Sequence, residues 1–197
     1  MKFILLVLIL AIIAAVYLYI ENHFILAKRH KDFGGDVKIL HISDCHKRNN
    51  STYNKRILSA AQQEKPDLIF ITGDFVSRTE TNFSLCEAFL HGLCEIAPVY
   101  LCMGNHEQSF IHDNQQEFLD AMHRTKAEIL MNSGRHVKIK GREFYICGVM
   151  PEYYVYKKDG GYKNLDDFTL DDMKKNLGDC PRGEVLLLAH NPLFGAV

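Results

Sequence analysis

The sequence predicts a layered α/β domain with a largely parallel central sheet, preceded by one N-terminal transmembrane helix. Three observations predict it. Four short apolar runs lack alternation, which is how strands covered on both faces read. Segments with a helical pattern separate the first three runs, and strand–helix–strand succession implies right-handed, parallel crossovers. A long uncharged stretch opens the chain. With 47% hydrophobic and 24% charged residues, the remainder has the composition of a folding domain rather than a disordered one.

The opening stretch runs from Phe3 to Ile20 and just reaches the length that crosses a ~30 Å hydrocarbon core as a helix. Tyr17 and Tyr19 near its end suit an interfacial position. A secretory signal is the rival reading, but the run is long for a signal core and no A-x-A pattern follows it. Residues 1–20 are therefore expected to be an anchor, 21–35 a polar linker ending in Gly34–Gly35, and 36–197 the folded domain. The expected location is the cell membrane, crossed once. Lys28, Arg29 and Lys31 follow the run while only Lys2 precedes it, which leans the domain toward the cytoplasmic face. The six cysteines lean the same way, because free thiols suit a reducing compartment. None forms a C-x-x-C pair, which argues against a zinc ribbon or a redox protein. A net charge of −1 offers no basic field for nucleic acid.

Within the domain the first apolar run is Val37–Ile42. Thr52–Glu64 follows as a helix, with Pro66 just beyond its end. The second run is Asp67–Thr72, the next helix Asn82–Glu95, and the third run Val99–Met103. Asn114–Arg124 is a further helix. His136–Lys140 and Glu143–Cys147 flank Gly141–Arg142 and read as a hairpin with a glycine turn. Leu170–Leu177 is a last helix and Val185–Ala189 the fourth run.

The residues behind these runs carry the chemistry. Ser43-Asp44-Cys45-His46 follows the first, Gly73-Asp74 the second, Gly104-Asn105-His106-Glu107 the third and His190-Asn191-Pro192 the fourth. The carboxyl ends of parallel strands form the ligand crevice of an open α/β sheet, so these residues should converge on one edge. Any one of them alone reads as a turn former or a helix cap. Together, and in order, they suit a two-metal site. Mixed nitrogen and oxygen donors favour Mn²⁺, Fe²⁺ or Zn²⁺ over Ca²⁺. Two such ions ~4 Å apart polarise a phosphoryl oxygen and activate a bridging hydroxide for in-line attack.

The order D-x-H, G-D, G-N-H-E, then a single His behind a strand resembles the calcineurin-like metallophosphoesterases, and the likeness covers Val37 to Pro192. The phrases HISDCH, PDLIFITGDFV, GNHE and LLLAHNP, with the anchor, look like the bacterial membrane-associated branch, which includes phosphodiesterases and UDP-2,3-diacylglucosamine pyrophosphatases. The resemblance implies that Asp44 and His46 hold one divalent metal, that Asp74 bridges two, and that Asn105 and His190 hold the second. It implies that His106 protonates the leaving oxygen or stabilises charge, with Glu107 orienting it. The implied activity is hydrolysis of a phosphodiester, pyrophosphate or phosphomonoester. The substrate would be a phosphorylated small molecule or a lipid-linked one at the membrane.

Three features depart from that pattern. The family's closing G-H-x-H is absent and the sequence ends in apolar Leu193–Val197, the expectation for a chain lacking its C-terminal strands. The alternative to an active hydrolase is therefore an impaired fragment that keeps the fold and partial metal binding. Cys45 stands where the family has an apolar residue and reads as a packing thiol. Lys47-Arg48-Asn49-Asn50 replaces the glycine often found after D-x-H. Outside these motifs, the loop Pro151–Tyr162 gathers four tyrosines beside Lys157 and Lys158 and reads as a surface loop or a substrate contact.

Overall fold

The computed structural model describes residues 2–23, 36–46, 50–150 and 168–191. The tyrosine-rich loop lies outside the described residues. The chain divides into two compact units, Met1–Gly35 and Asp36–Val197.

The first unit is the helix α1, Lys2–His23. Its window Phe3–Ile20 has a mean hydropathy of 3.1, and none of it is buried. Leucine and isoleucine cover every side, as in helices surrounded by an apolar medium rather than laid on a core. Its length and composition fit a membrane span; a signal sequence satisfies the same measure.

The second unit contains two sheets. Strands β1 (Ile39–Ile42), β2 (Leu68–Thr72), β3 (Val99–Cys102) and β4 (Glu128–Ile129) form a parallel sheet in the order β1-β2-β3-β4. Helix α2 (Ser51–Glu64) connects the first pair and α3 (Ser84–Cys94) the second. Asn50 caps α2 by accepting from the Tyr53 N–H at 2.9 Å, and Lys65 ends it with a φ of 48°. Two short helices, α4 (Asn105–His112) and α5 (Gln116–Arg124), lead from β3 to β4. Strands β5 (Ser133–Ile139) and β6 (Arg142–Gly148) form an antiparallel hairpin around Lys140 and Gly141, both at positive φ. Helix α6 (Leu170–Leu177) precedes β7 (Glu184–Leu188).

The fourth apolar run joins a different sheet from the first three. β7 does not extend the parallel sheet of β1–β4; it pairs in parallel with β6, giving a second sheet ordered β5-β6-β7. An apolar run shows that a strand is covered, not which edge receives it. The covering comes from stacking the two sheets. Leu68, Phe70, Tyr100 and Cys102 face Leu130, Phe144, Ile146 and Leu188 between the sheets. The alternate residues Ile69, Ile71, Val99 and Leu101 face a cluster with α2, α3, α4 and α5. Period-two alternation thus has two apolar destinations, and β2 and β3 read as continuous apolar runs. The edge strands are less covered than expected: Ile39 is 37% and Leu187 38% exposed.

Candidate metal centre

The loops behind β1, β2, β3 and β7 meet at one place. The two sheets stack with the carboxyl ends of β2 and β7 together, so His190 Nδ1 lies 2.8 Å from the Thr72 carbonyl oxygen. The Asp44 N–H donates to the Gly73 carbonyl at 3.2 Å and the His46 N–H to the Asp74 carbonyl at 3.0 Å, which ties the first loop to the second. Asp44, His46 and Asp74 have φ of 55°, 43° and 51°. Left-handed backbone at residues other than glycine costs about 1–3 kcal/mol each and clusters at functional sites.

Two glycines permit the close approach. A Cβ on Gly104 would stand 2.2 Å from Asp74 Oδ1, and one on Gly73 would stand 2.4 Å from the Gly104 nitrogen. Gly73 also has a φ of 83°. The β2 and β3 loops therefore touch backbone to backbone.

Asp74 is the centre. Its Oδ2 lies 3.6 Å from His46 Nε2, 3.9 Å from His106 Nε2 and 3.5 Å from His190 Nε2. His46 Nε2 also lies 3.5 Å from Asp44 Oδ1. Ligand atoms of His46, Asp74 and His106 form one group within 4.8 Å, and those of Asp44, Asp74 and His190 form another. Asp74 belongs to both. Donors on ~2.1 Å tetrahedral bonds sit about 3.4 Å apart, so these separations suit a coordination shell better than direct hydrogen bonds.

Hydrogen bonding orients the histidine rings. Thr72 can only accept from His190 Nδ1, so that nitrogen carries the proton and Nε2 presents a lone pair. His106 Nδ1 lies 3.1 Å from the Arg78 N–H, a donor, and 3.2 Å from the Val76 carbonyl, an acceptor, so it can be held in either tautomer. His106 Nδ1 also lies 3.2 Å from His46 Nδ1. The Nε2 atoms of His46, His106 and His190 face carboxylate oxygens. Imidazole nitrogens gathered around a buried carboxylate suit a cation, and the mixed donor set fits a borderline divalent ion. Burial lowers the His106 pKa, with the Asp74 charge opposing that shift.

Glu107 has partners other than the expected ones. It is fully buried and accepts from the N–H groups of Asp74 at 2.7 Å, Val76 at 3.1 Å and Gly104 at 2.9 Å. As the third residue of α4 it returns to the N-cap amide, the acidic half of a capping box. It therefore holds the Asp74 loop rather than the His106 ring. Burial first, then the charge of Asp74, pushes its carboxyl up to about 7 against the pull of the three N–H bonds. Cys45 is buried in the helix-side core, and burial, then the charges of Asp44 and Glu107, pushes its thiol up to about 11. That environment is the expected packing one.

All seven residues singled out from the sequence lie at this site. Asn105, the first residue of α4, lies 3.2 Å from His190 Nε2. Sequence reasoning missed Arg78, whose backbone holds His106 and whose guanidinium reaches Asn105. Its signal was a cation in the same post-strand loop as Asp74.

Stacked sheets that bring Asp, His and Asn together behind their strands define a metallophosphoesterase domain with a metal-ligand-like cluster. The sequence pattern of the calcineurin-like phosphoesterases matches residues 37–196, and the chain belongs to that family. It is 26% identical over 127 residues to phosphodiesterase YaeI of Escherichia coli (strain K12), covering 60% of this chain and 45% of that protein. It is 24% identical over 136 residues to the uncharacterized metallophosphoesterase YkoQ of Bacillus subtilis (strain 168), covering 66% and 50%. The chain thus spans about half the length of the curated relatives it matches. The crystal structure of TT1561 of Thermus thermophilus is similar with a TM-score of 0.44 and 16% identity, over 57% of this chain and 48% of that one.

Proposed function

We propose that this protein is a membrane-anchored, metal-dependent hydrolase of phosphodiester, pyrophosphate or phosphomonoester bonds. The observation that carries the reading is the convergence of three imidazole Nε2 atoms on the buried Asp74 Oδ2. Asp44 and His46 would hold one divalent cation, Asn105 and His190 a second, and Asp74 both. Its membership of both ligand groups supports that bridging role. Mn²⁺, Fe²⁺ or Zn²⁺ fits the donors. When bound, such a pair polarises the phosphoryl oxygen and supplies an activated water.

The chain's own groups do the rest. His106 turns its Nε2 toward the centre, where the protonated ring donates to the leaving oxygen. The neighbouring Arg78 stands at the rim as a cation for phosphoryl oxygens. Glu107 fixes the loop carrying Asp74, so the ligands keep their geometry. The similarity to a phosphodiesterase favours a diester among the three bond types. The apolar α1 favours a lipid-linked or membrane-proximal substrate of the kind handled by the pyrophosphatase-containing membrane branch, and the flanking Lys28, Arg29 and Lys31 favour the cytoplasmic face for the domain.

The test is metal analysis of the purified full chain together with hydrolysis of bis-p-nitrophenyl phosphate. The expected result is bound divalent metal and turnover abolished by a chelator and restored by Mn²⁺ or Zn²⁺. Turnover that persists after complete metal removal would sink the proposal.

A further inference from the structure

Thr72 is not one of the ligand residues, yet the loops that carry Asp44, Asp74 and His190 all meet on it. It closes β2, two residues before Asp74. Its carbonyl oxygen lies 2.8 Å from His190 Nδ1, behind β7, and 3.4 Å from the hydroxyl of Ser43, the neighbour of Asp44 behind β1. Thr72 is itself buried, and its own hydroxyl lies 2.7 Å from Nε2 of His41 in β1. A hydroxyl both donates and accepts, so that contact stands in either tautomer of the His41 ring.

Strand register lets His41 reach that far. It pairs with Phe70 across the parallel ladder, and Phe70 and Thr72, two apart, share one face of β2. The His41 ring therefore bridges diagonally from the edge strand to the last residue of its neighbour. Ladder pairing between the two strands ends at Ile42 and Ile71. The side-chain bond thus holds the end of β2 just where the chain turns into the Asp74 loop. Without His41 the buried hydroxyl has no partner among the described residues, and a buried hydroxyl left unpaired turns toward another. Movement of Thr72 passes to the carbonyl that orients His190 and, within two residues, to Asp74.

We propose that His41 is a positioning residue of the metal centre: by holding the Thr72 hydroxyl it keeps His190 Nε2 and Asp74 Oδ2 at their 3.5 Å spacing. Its bond is to Thr72 and not to a ligand, so it acts through Thr72. This inference rests on the metal-centre reading above. Partners directly behind metal ligands govern about 10–100-fold of metal affinity. His41 stands one residue further out, which places its effect at the lower end, about tenfold.

The experiment titrates Zn²⁺ by calorimetry into the full chain in detergent micelles. The samples are the unsubstituted protein, His41→Ala, His41→Gln, Thr72→Val, and His41→Ala combined with Thr72→Val. His41 is exposed, so truncating it opens no core cavity. Thr72→Val removes the hydroxyl but keeps the branched shape and the carbonyl beside His190. His41→Ala and Thr72→Val should each weaken Zn²⁺ binding about tenfold. The combined variant should be no weaker than either, because both changes remove the same hydrogen bond. His41→Gln, whose amide also donates and accepts, should restore most of the affinity, which a role in packing alone would not allow. Thermal melts without metal check that each variant folds; if His41→Ala does not, Thr72→Val and His41→Gln decide. Unchanged affinity in His41→Ala or Thr72→Val overturns the positioning role and leaves the metal centre standing. So do additive losses in the combined variant, or His41→Gln binding as weakly as His41→Ala. Failure of the unsubstituted chain to bind Zn²⁺ overturns the metal-centre reading, and the positioning role with it.

Discussion

His106 and Asp74 lie 3.9 Å apart, yet their substitutions should fail in different ways. His106→Ala removes the proposed proton donor, so turnover should fall about 10²–10⁴-fold while metal content stays near that of the unsubstituted protein. Asp74→Asn removes the carboxylate shared by both ligand groups, so metal content itself should fall. Equal loss of metal and turnover in His106→Ala would instead make His106 a ligand, the role its grouping with His46 and Asp74 also permits. At this scale the sequence was informative where a side chain itself reaches the cluster. Asp44, His46, Asp74, Asn105, His106 and His190 each stand behind a strand and are ligand or acid types. Glu107 was legible as a member of the site but not in its work. Its partners are three backbone N–H groups, and backbone amides leave no mark on residue identity.

The loops behind β2 and β3 work as a pair because nothing projects between them. Gly104→Ala would drive a methyl into Asp74 Oδ1 and shift the β3 loop away from Asp74. Overpacking of this kind costs about 1–3 kcal/mol. The expected outcome is a lowered melting temperature together with at least a tenfold loss of metal affinity, read by thermal melts and calorimetry. A variant with unchanged metal affinity would show that the loops need no such closeness. The elements themselves were read unevenly. Leu170–Leu177 has the expected bounds, aided by Thr169, which accepts from the Asp172 N–H at 3.3 Å. Helix α4 was missed, because GNHE starts a short helix almost directly after β3, without a polar cap of its own. The placement of β7 was missed because partner choice depends on the edge of β6 and on the facing residues of β2, which lie far away in sequence.

For the molecule as a whole, the proposed anchor role of α1 is testable. The full chain should sediment with membranes, resist alkaline carbonate and dissolve only in detergent, while a variant beginning at Asp36 should not sediment. Mass spectrometry of the membrane-bound protein should find the first residues retained; loss of the opening ~20 residues would make them a signal instead. The two-layer sheet arrangement was only half visible in the sequence, since continuous apolar runs announce double coverage without saying what covers. That arrangement also sets a clock. Ser43 reaches the Thr72 carbonyl across 29 positions, whereas His190 reaches it across 118. Closing the longer loop costs about 1 kcal/mol more in chain entropy, and contacts of such range slow folding. During refolding from denaturant, far-UV dichroism should therefore return before Zn²⁺ capture does. The β1–β3 half would be born first and wait, with its carboxylates assembled, for the histidine that arrives last.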